Sequence, residues 1–218
     1  MKLSNIFRLN WCATCRLNYL AGGWGAVFRM PIKVYGKLRL TLRGKIVLPE
    51  HVVRNTLIIG ESYEDHTASA GKAQLVLDGE WCIEGIVRIG IDCFIGIRHG
   101  GVLTMGNGVF VGRDSEIRCS SSVIIKQNAV LAKAYVNDST EHQMLCDGEP
   151  MPMFKAITIG EGALVLRATV LGGTYIPSRS VVAAGAVCCR DYSKEGQSKL
   201  LLTGVPATVK HNDYTYIL

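Results

Sequence analysis

The run Val136-Asn137-Asp138-Ser139-Thr140-Glu141-His142-Gln143 collects one imidazole and two carboxylates within five residues. Histidine changes its charge near neutrality, so such a set can move protons at physiological pH. Sulfur chemistry is less well supported. The eight cysteines, Cys12, Cys15, Cys82, Cys93, Cys119, Cys146, Cys188 and Cys189, follow no spacing framework, and a chain of 218 residues needs no disulfide staples. Cys12-Ala-Thr-Cys15 has C-x-x-C spacing, but no second pair or nearby histidine completes a zinc site, and no βαβ pattern surrounds it. It reads as two apolar positions on a helix.

What must position the His142 cluster is a repeat of six residues. Ile159, Val165, Leu171, Pro177, Ala183 and Cys189 fall six apart, and small or apolar residues (Ala163, Thr169, Tyr175, Val181, Val187) follow four after each of the first five. The same register appears upstream in Ile89/Ile95, Met105/Val111/Ile117 and Ile125/Leu131, with glycine after it at Gly90, Gly96, Gly106, Gly112, Gly160 and Gly172. A helix has no use for this period. It describes a parallel β-helix, in which short straight faces joined by tight corners stack their aliphatic residues coil on coil. Between Ile125 and Ile159 the register advances by 34 residues, and one coil of about 18 leaves roughly 16 that must be extruded. The His142 cluster stands where that loop leaves the scaffold, a place where function concentrates.

With 48% apolar residues, 24 glycines, 6 prolines and 7% aromatics, the chain is neither disordered nor built on bulky helix packing. Its net charge of +6 is uneven, since the first 49 residues carry nine Lys or Arg and no Asp or Glu. Such asymmetry marks an anionic partner or a solvated basic face, but no aromatic-interleaved stripe or binding motif supports nucleic acid. The charge-free stretch Leu17 to Phe28 is too short to cross a bilayer, which takes about 20 residues, and no signal-peptide cleavage pattern follows it. A cytoplasmic protein is expected, at most peripheral to the inner membrane face. Residues 1–30 read as a helical segment, 31–86 as irregular coils, 87–192 as regular β-helix with a loop over 138–156, and 193–218 as a C-terminal extension. The basic, apolar N-terminus either sits on an anionic membrane or caps the open first coil. The cap is favoured, because Gly22, Gly23 and Gly25 let the chain fold back and arginines interrupt the apolar positions.

From about Val87 to Lys210 the repeats resemble the left-handed β-helix family of hexapeptide-repeat acyltransferases, whose hexad is aliphatic-Gly-x-x-small-x with three hexads per coil. The resemblance implies an all-β fold and an O-acetyltransferase using acetyl-CoA on a hydroxyl of a carbohydrate or glycan precursor, with no metal. In sugar and xenobiotic members an Asp-rich run ends in a catalytic histidine at this loop, and His142 matches it. A neutral imidazole would take the acceptor's proton as the hydroxyl attacks the thioester, and Asp138, Glu141 or a backbone carbonyl would fix the tautomer. Asp114 stands where some relatives place an asparagine near the acyl oxygen, and Leu164 where many have a tryptophan beside CoA. Ala183-Ala184-Gly185-Ala186-Val187 resembles the coil along the pantetheine arm, so Ala184 and Gly185 become CoA-binding candidates. Arg190, and Lys210 after Thr203-Gly204-Val205-Pro206-Ala207, are candidates for the CoA phosphates. Family sites lie between adjacent prisms, which implies a homotrimer.

Two other readings compete with an enzyme of this kind. A γ-type carbonic anhydrase shares the fold but needs two histidine ligands five positions apart. Here His51, His66, His99, His142 and His211 are 15, 33, 43 and 69 residues apart. A non-catalytic β-helix scaffold would need neither an ionisable residue at 142 nor CoA. His99, four residues after Ile95, reads as a structural wall position.

Overall fold

Aliphatic residues two apart, as in Val87-Arg88-Ile89, Leu103-Thr104-Met105 and Val123-Ile124-Ile125, form short strands whose alternate side chains are wholly buried. In the computed structural model, which describes residues 9–61 and 71–216, these strands stack into sheets of nine, seven and six. His66 lies outside the described residues. Each coil gives one strand to each sheet in turn, as Val109–Val111, Glu116–Cys119 and Ser122–Ile125 do for the first, second and third faces. The result is a parallel β-helix with a triangular section.

Columns of like side chains fill the prism. On the first face Ile89 stacks on Val111, Leu131, Val165 and Val182, and on the second Ile95 stacks on Ile117, Val136, Val170 and Cys188. Counted in sixes from Ile159, the register holds to Val165 and then slips. The inward residues are Val170, Ile176, Val182 and Cys188, one position before each of Leu171, Pro177, Ala183 and Cys189. The corner from Val165 to Val170 spans five residues, as the one from Leu131 to Val136 below it does, where Ile89 to Ile95 and Val111 to Ile117 span six.

Both ends of the prism are closed. The helix Trp11–Arg29, kinked at Gly22 and Gly23, lies against the first coil and buries Leu17 completely. Its polar residues pair with the strand Ile32–Val34, which has no strand beneath it. Asn18 donates to the Ile32 carbonyl (2.8 Å) and accepts from the Ile32 N–H (3.0 Å), while the Thr14 hydroxyl accepts from the Val34 N–H (3.1 Å). At the far end the first face continues beyond residue 192 through Leu201–Thr203, and Thr208–His211 folds back antiparallel to cover it. No helix among the described residues is long and apolar enough to cross a membrane.

Candidate active site at the extruded arm

The chain leaves the prism after Tyr135–Asn137 on the second face and returns at Ile157–Ile159 on the third. The excursion is an ordered arm. Thr140 N–H donates to the Met153 carbonyl (3.0 Å), Met151 N–H to the Met144 carbonyl (2.8 Å), and Leu145–Cys146 pairs antiparallel with Glu149–Pro150. Asp147 and Gly148 form its tip with φ of 52° and 83°, the two positive values that a type I′ hairpin turn requires. The Asp-Gly dipeptide announces that turn in the sequence; the sequence reading above gives only an extruded loop.

Asp138 fixes the arm's root. Its side chain is buried, and its carboxylate accepts the backbone N–H groups of Ser120 (2.7 Å), Ser121 (2.8 Å) and Ser122 (2.8 Å) from the coil before. The next coil closes over it: a Cβ at Gly172 would lie 3.0 Å from the Asp138 carbonyl oxygen and 3.2 Å from that of Lys155. Both carboxylate oxygens are thus committed to backbone. Asp138 positions the arm and does not orient His142.

Glu141, turned outward by a φ of 61°, reaches Arg118 (3.4 Å) and Arg98 (3.7 Å) on the two coils before the arm. Arg118 also pairs with Glu116 and lies over the Phe94 ring, 5.0 Å from its centre. Arg98, Arg118, Phe94, Asp78 and Glu141 line a cleft of about 150 Å³ at the foot of the arm. His142 is exposed beside it. Its carbonyl accepts from the Thr140 hydroxyl (2.8 Å), which holds the backbone, while its imidazole hydrogen-bonds to no described residue. Glu141, spent on arginines, does not orient it within this chain.

Sequence reasoning passed over Arg98 and Arg118, and it misplaced His99. That residue is exposed in the corner Arg98-His99-Gly100-Gly101, on the same prism edge as the arm. The corner is two residues longer than Ser120-Ser121 above it, and the paired glycines carry the signal of that bulge. Cys119, inside the prism below the arm, is no nucleophile: burial, with the Asp138 charge adding to it, pushes its thiol up to about 12.

The remaining candidates are spread over other edges. Asp114 occupies the corner between the first and second faces, paired with Arg113 (3.2 Å) and Lys133 (3.9 Å). The coil below the arm turns at Ser120 and Ser121, so Asp114 is not beside His142 in one chain. Ala184 and Gly185 share the Asp114 edge, three coils on, with Gly185 at φ 79° donating to the Arg167 carbonyl (2.9 Å). Arg190 is on the arm's edge, ion-paired with Glu195 (2.6 Å) and stacked over Tyr192. Lys210 is exposed on the closing strand and ion-paired with no described residue.

No family model matches the chain, and no curated protein sequence matches it. Among solved structures, the polySia-specific acetyltransferase NeuO is similar at 16% identity and a TM-score of 0.46, over 86% of this chain and 89% of that one. The polysialic acid O-acetyltransferase OatWY is similar at 14% identity and a TM-score of 0.40, over 86% and 90%.

Proposed function

We propose that the protein is an O-acetyltransferase that moves an acetyl group from acetyl-CoA to a hydroxyl of a carbohydrate or glycan precursor, with His142 as general base. The observation that carries this reading is an exposed imidazole on an arm whose root is fixed twice, by Asp138 on three backbone amides and by Glu141 on two arginines. A base on an anchored stretch of backbone beside a cleft suits abstraction of a proton from a bound hydroxyl. The alkoxide oxygen attacks the thioester carbonyl, and the tetrahedral intermediate collapses. The C–S bond breaks, the imidazolium returns its proton to the departing sulfur, and an acetyl ester and free CoA result. No covalent enzyme intermediate is needed, in keeping with a Cys119 thiol that stays protonated at neutral pH.

The acceptor would occupy the cleft at Arg98 and Arg118. Asp114, Ala184 and Gly185 stand on a different edge of the prism from His142, so one chain does not assemble the whole set. A homotrimer resolves this by setting the arm's edge of one prism against the Asp114 edge of the next. Exposed Met144, Leu145, Met151 and Phe154 on the arm are the apolar surface such a contact would cover. Lys210 is the freer cation for the CoA phosphates, because Arg190 is already held by Glu195. The donor places the reaction in the cytoplasm. Titration calorimetry with acetyl-CoA, followed by a carbohydrate panel read as thiol release, tests the assignment; no heat of binding and no thiol with any acceptor would refute it.

A further inference from the structure

The helix Trp11–Arg29 spends only one face on the prism. Ala13, Thr14, Leu17, Asn18 and Ala26 are buried, and the opposite face carries Trp11, Tyr19, Trp24 and Phe28. Trp24 is 68% exposed and Phe28 82%, values that capping the first coil does not explain. Across the kink at Gly22 and Gly23, Tyr19 and Trp24 meet edge to face at 5.5 Å, the centre of an aromatic ridge that Trp11 and Phe28 flank along the chain. Beside it runs an apolar groove of about 600 Å³, lined by Cys15, Tyr19, Leu20, Val27 and Leu42, with Arg16 at its rim.

The exposed charges that residues 11–45 themselves contribute have one sign. Arg16, Arg29, Lys37, Arg39 and Arg43 are exposed and ion-paired with no described residue, while Lys45 is paired with Glu80. Lys37 and Arg39 project from the outermost strand of the second face, the strand that supplies Leu42 to the groove. No acid lies in the first 49 residues. A protein partner would normally meet some acids with its own cations. A surface of exposed tryptophan, tyrosine and phenylalanine flanked by an excess of arginine and lysine fits an interface that is apolar beneath and uniformly negative above.

We propose that the outer face of this helix docks on an anionic lipid bilayer, with Trp11, Tyr19, Trp24 and Phe28 entering the headgroup region and the surrounding cations meeting lipid phosphates and carboxylates. The helix lies in the interface and does not span it. This rests on the ridge and its charge alone, and stands or falls independently of acetyl transfer. Docked this way, the arm stands four inter-strand spacings of about 4.8 Å above the first coil, so its cleft faces the water layer over the membrane.

Flotation of the full chain with phosphatidylserine-containing vesicles, against pure phosphatidylcholine, tests the proposal. Binding to the anionic vesicles that weakens as salt rises, with a blue shift of tryptophan emission, is the expected result. Trp24→Ser with Phe28→Ser, both at exposed positions, should weaken binding about tenfold or more while leaving the thermal midpoint unchanged. Arg39→Gln with Arg43→Gln should weaken it and flatten its salt dependence. Absence of binding at low salt, or a double aromatic variant that binds like wild type, overturns the proposal. So does wild-type self-association that the aromatic variant abolishes, which would assign the ridge to a second copy of the chain.

Discussion

A carboxylate that accepts three amide hydrogens has little left to offer an imidazole, and that separates the roles of Asp138 and His142. Truncating Asp138 strands the N–H groups of Ser120, Ser121 and Ser122 in a buried corner. Asp138→Ala should therefore cost about 2–4 kcal/mol of stability. Asp138→Asn should cost less, because its one carbonyl oxygen can still accept the Ser121 and Ser122 donors that now share a single carboxylate oxygen. Denaturant midpoints measure both; an alanine variant as stable as wild type would remove Asp138 as the anchor. The sequence showed that an aspartate belongs to the His142 cluster but not what it does, because its partners are backbone groups 16 to 18 residues earlier. Arg98 and Arg118 were hidden for a related reason. Only the stacking of Arg118 beside Asn137 reveals that an arginine lies under the arm.

The coil is the next scale, and its chemistry sets an alkaline limit. Cys119 and Cys188 point into the prism, Tyr192 is wholly buried, and burial pushes all three up to about 12. All three are protonated in the folded and unfolded chain at neutral pH, so they leave stability unchanged there. Above about pH 9 the unfolded chain loses these protons while the folded one keeps them, and stability falls as pH rises toward 12. Urea midpoints at pH 7.5 and at about pH 10.5 should show a marked loss at the higher value, and Cys119→Ala with Cys188→Ala should reduce that loss. An unchanged pH dependence in that variant would contradict the account. At this scale the sequence was legible where corners repeat. Ile95, Met105, Val111, Ile117, Ile125, Leu131, Ile159 and Val165 were found because each is an inward aliphatic. The phase departs from six after Val165 because that corner, like the one after Leu131, is one residue shorter than those after Ile89 and Val111, and the left-handed residue that all four corners share (Asp92, Asp114, Lys133, Arg167) does not tell the two lengths apart. The helical cap was readable from glycine and charge, yet the Thr14 and Asn18 bonds to the first strand depend on a fold-back that spacing alone does not show.

For the whole molecule, the account requires a partner. One prism carries the arm and the Asp114 edge on different corners, and the arm exposes four large apolar residues to solvent. Sedimentation should find three copies at micromolar concentration, and a monomer with full activity would refute the shared site. The central claim is that His142 takes the proton of an acceptor hydroxyl. The direct test is thiol release from acetyl-CoA by wild type and His142→Ala, with a carbohydrate acceptor found by the panel above and with CoA affinity measured in parallel. The account predicts a fall in turnover of about 10²–10⁴-fold with donor affinity nearly intact. Turnover by His142→Ala at the wild-type rate would contradict it and move the search for the base to His99 on the same edge.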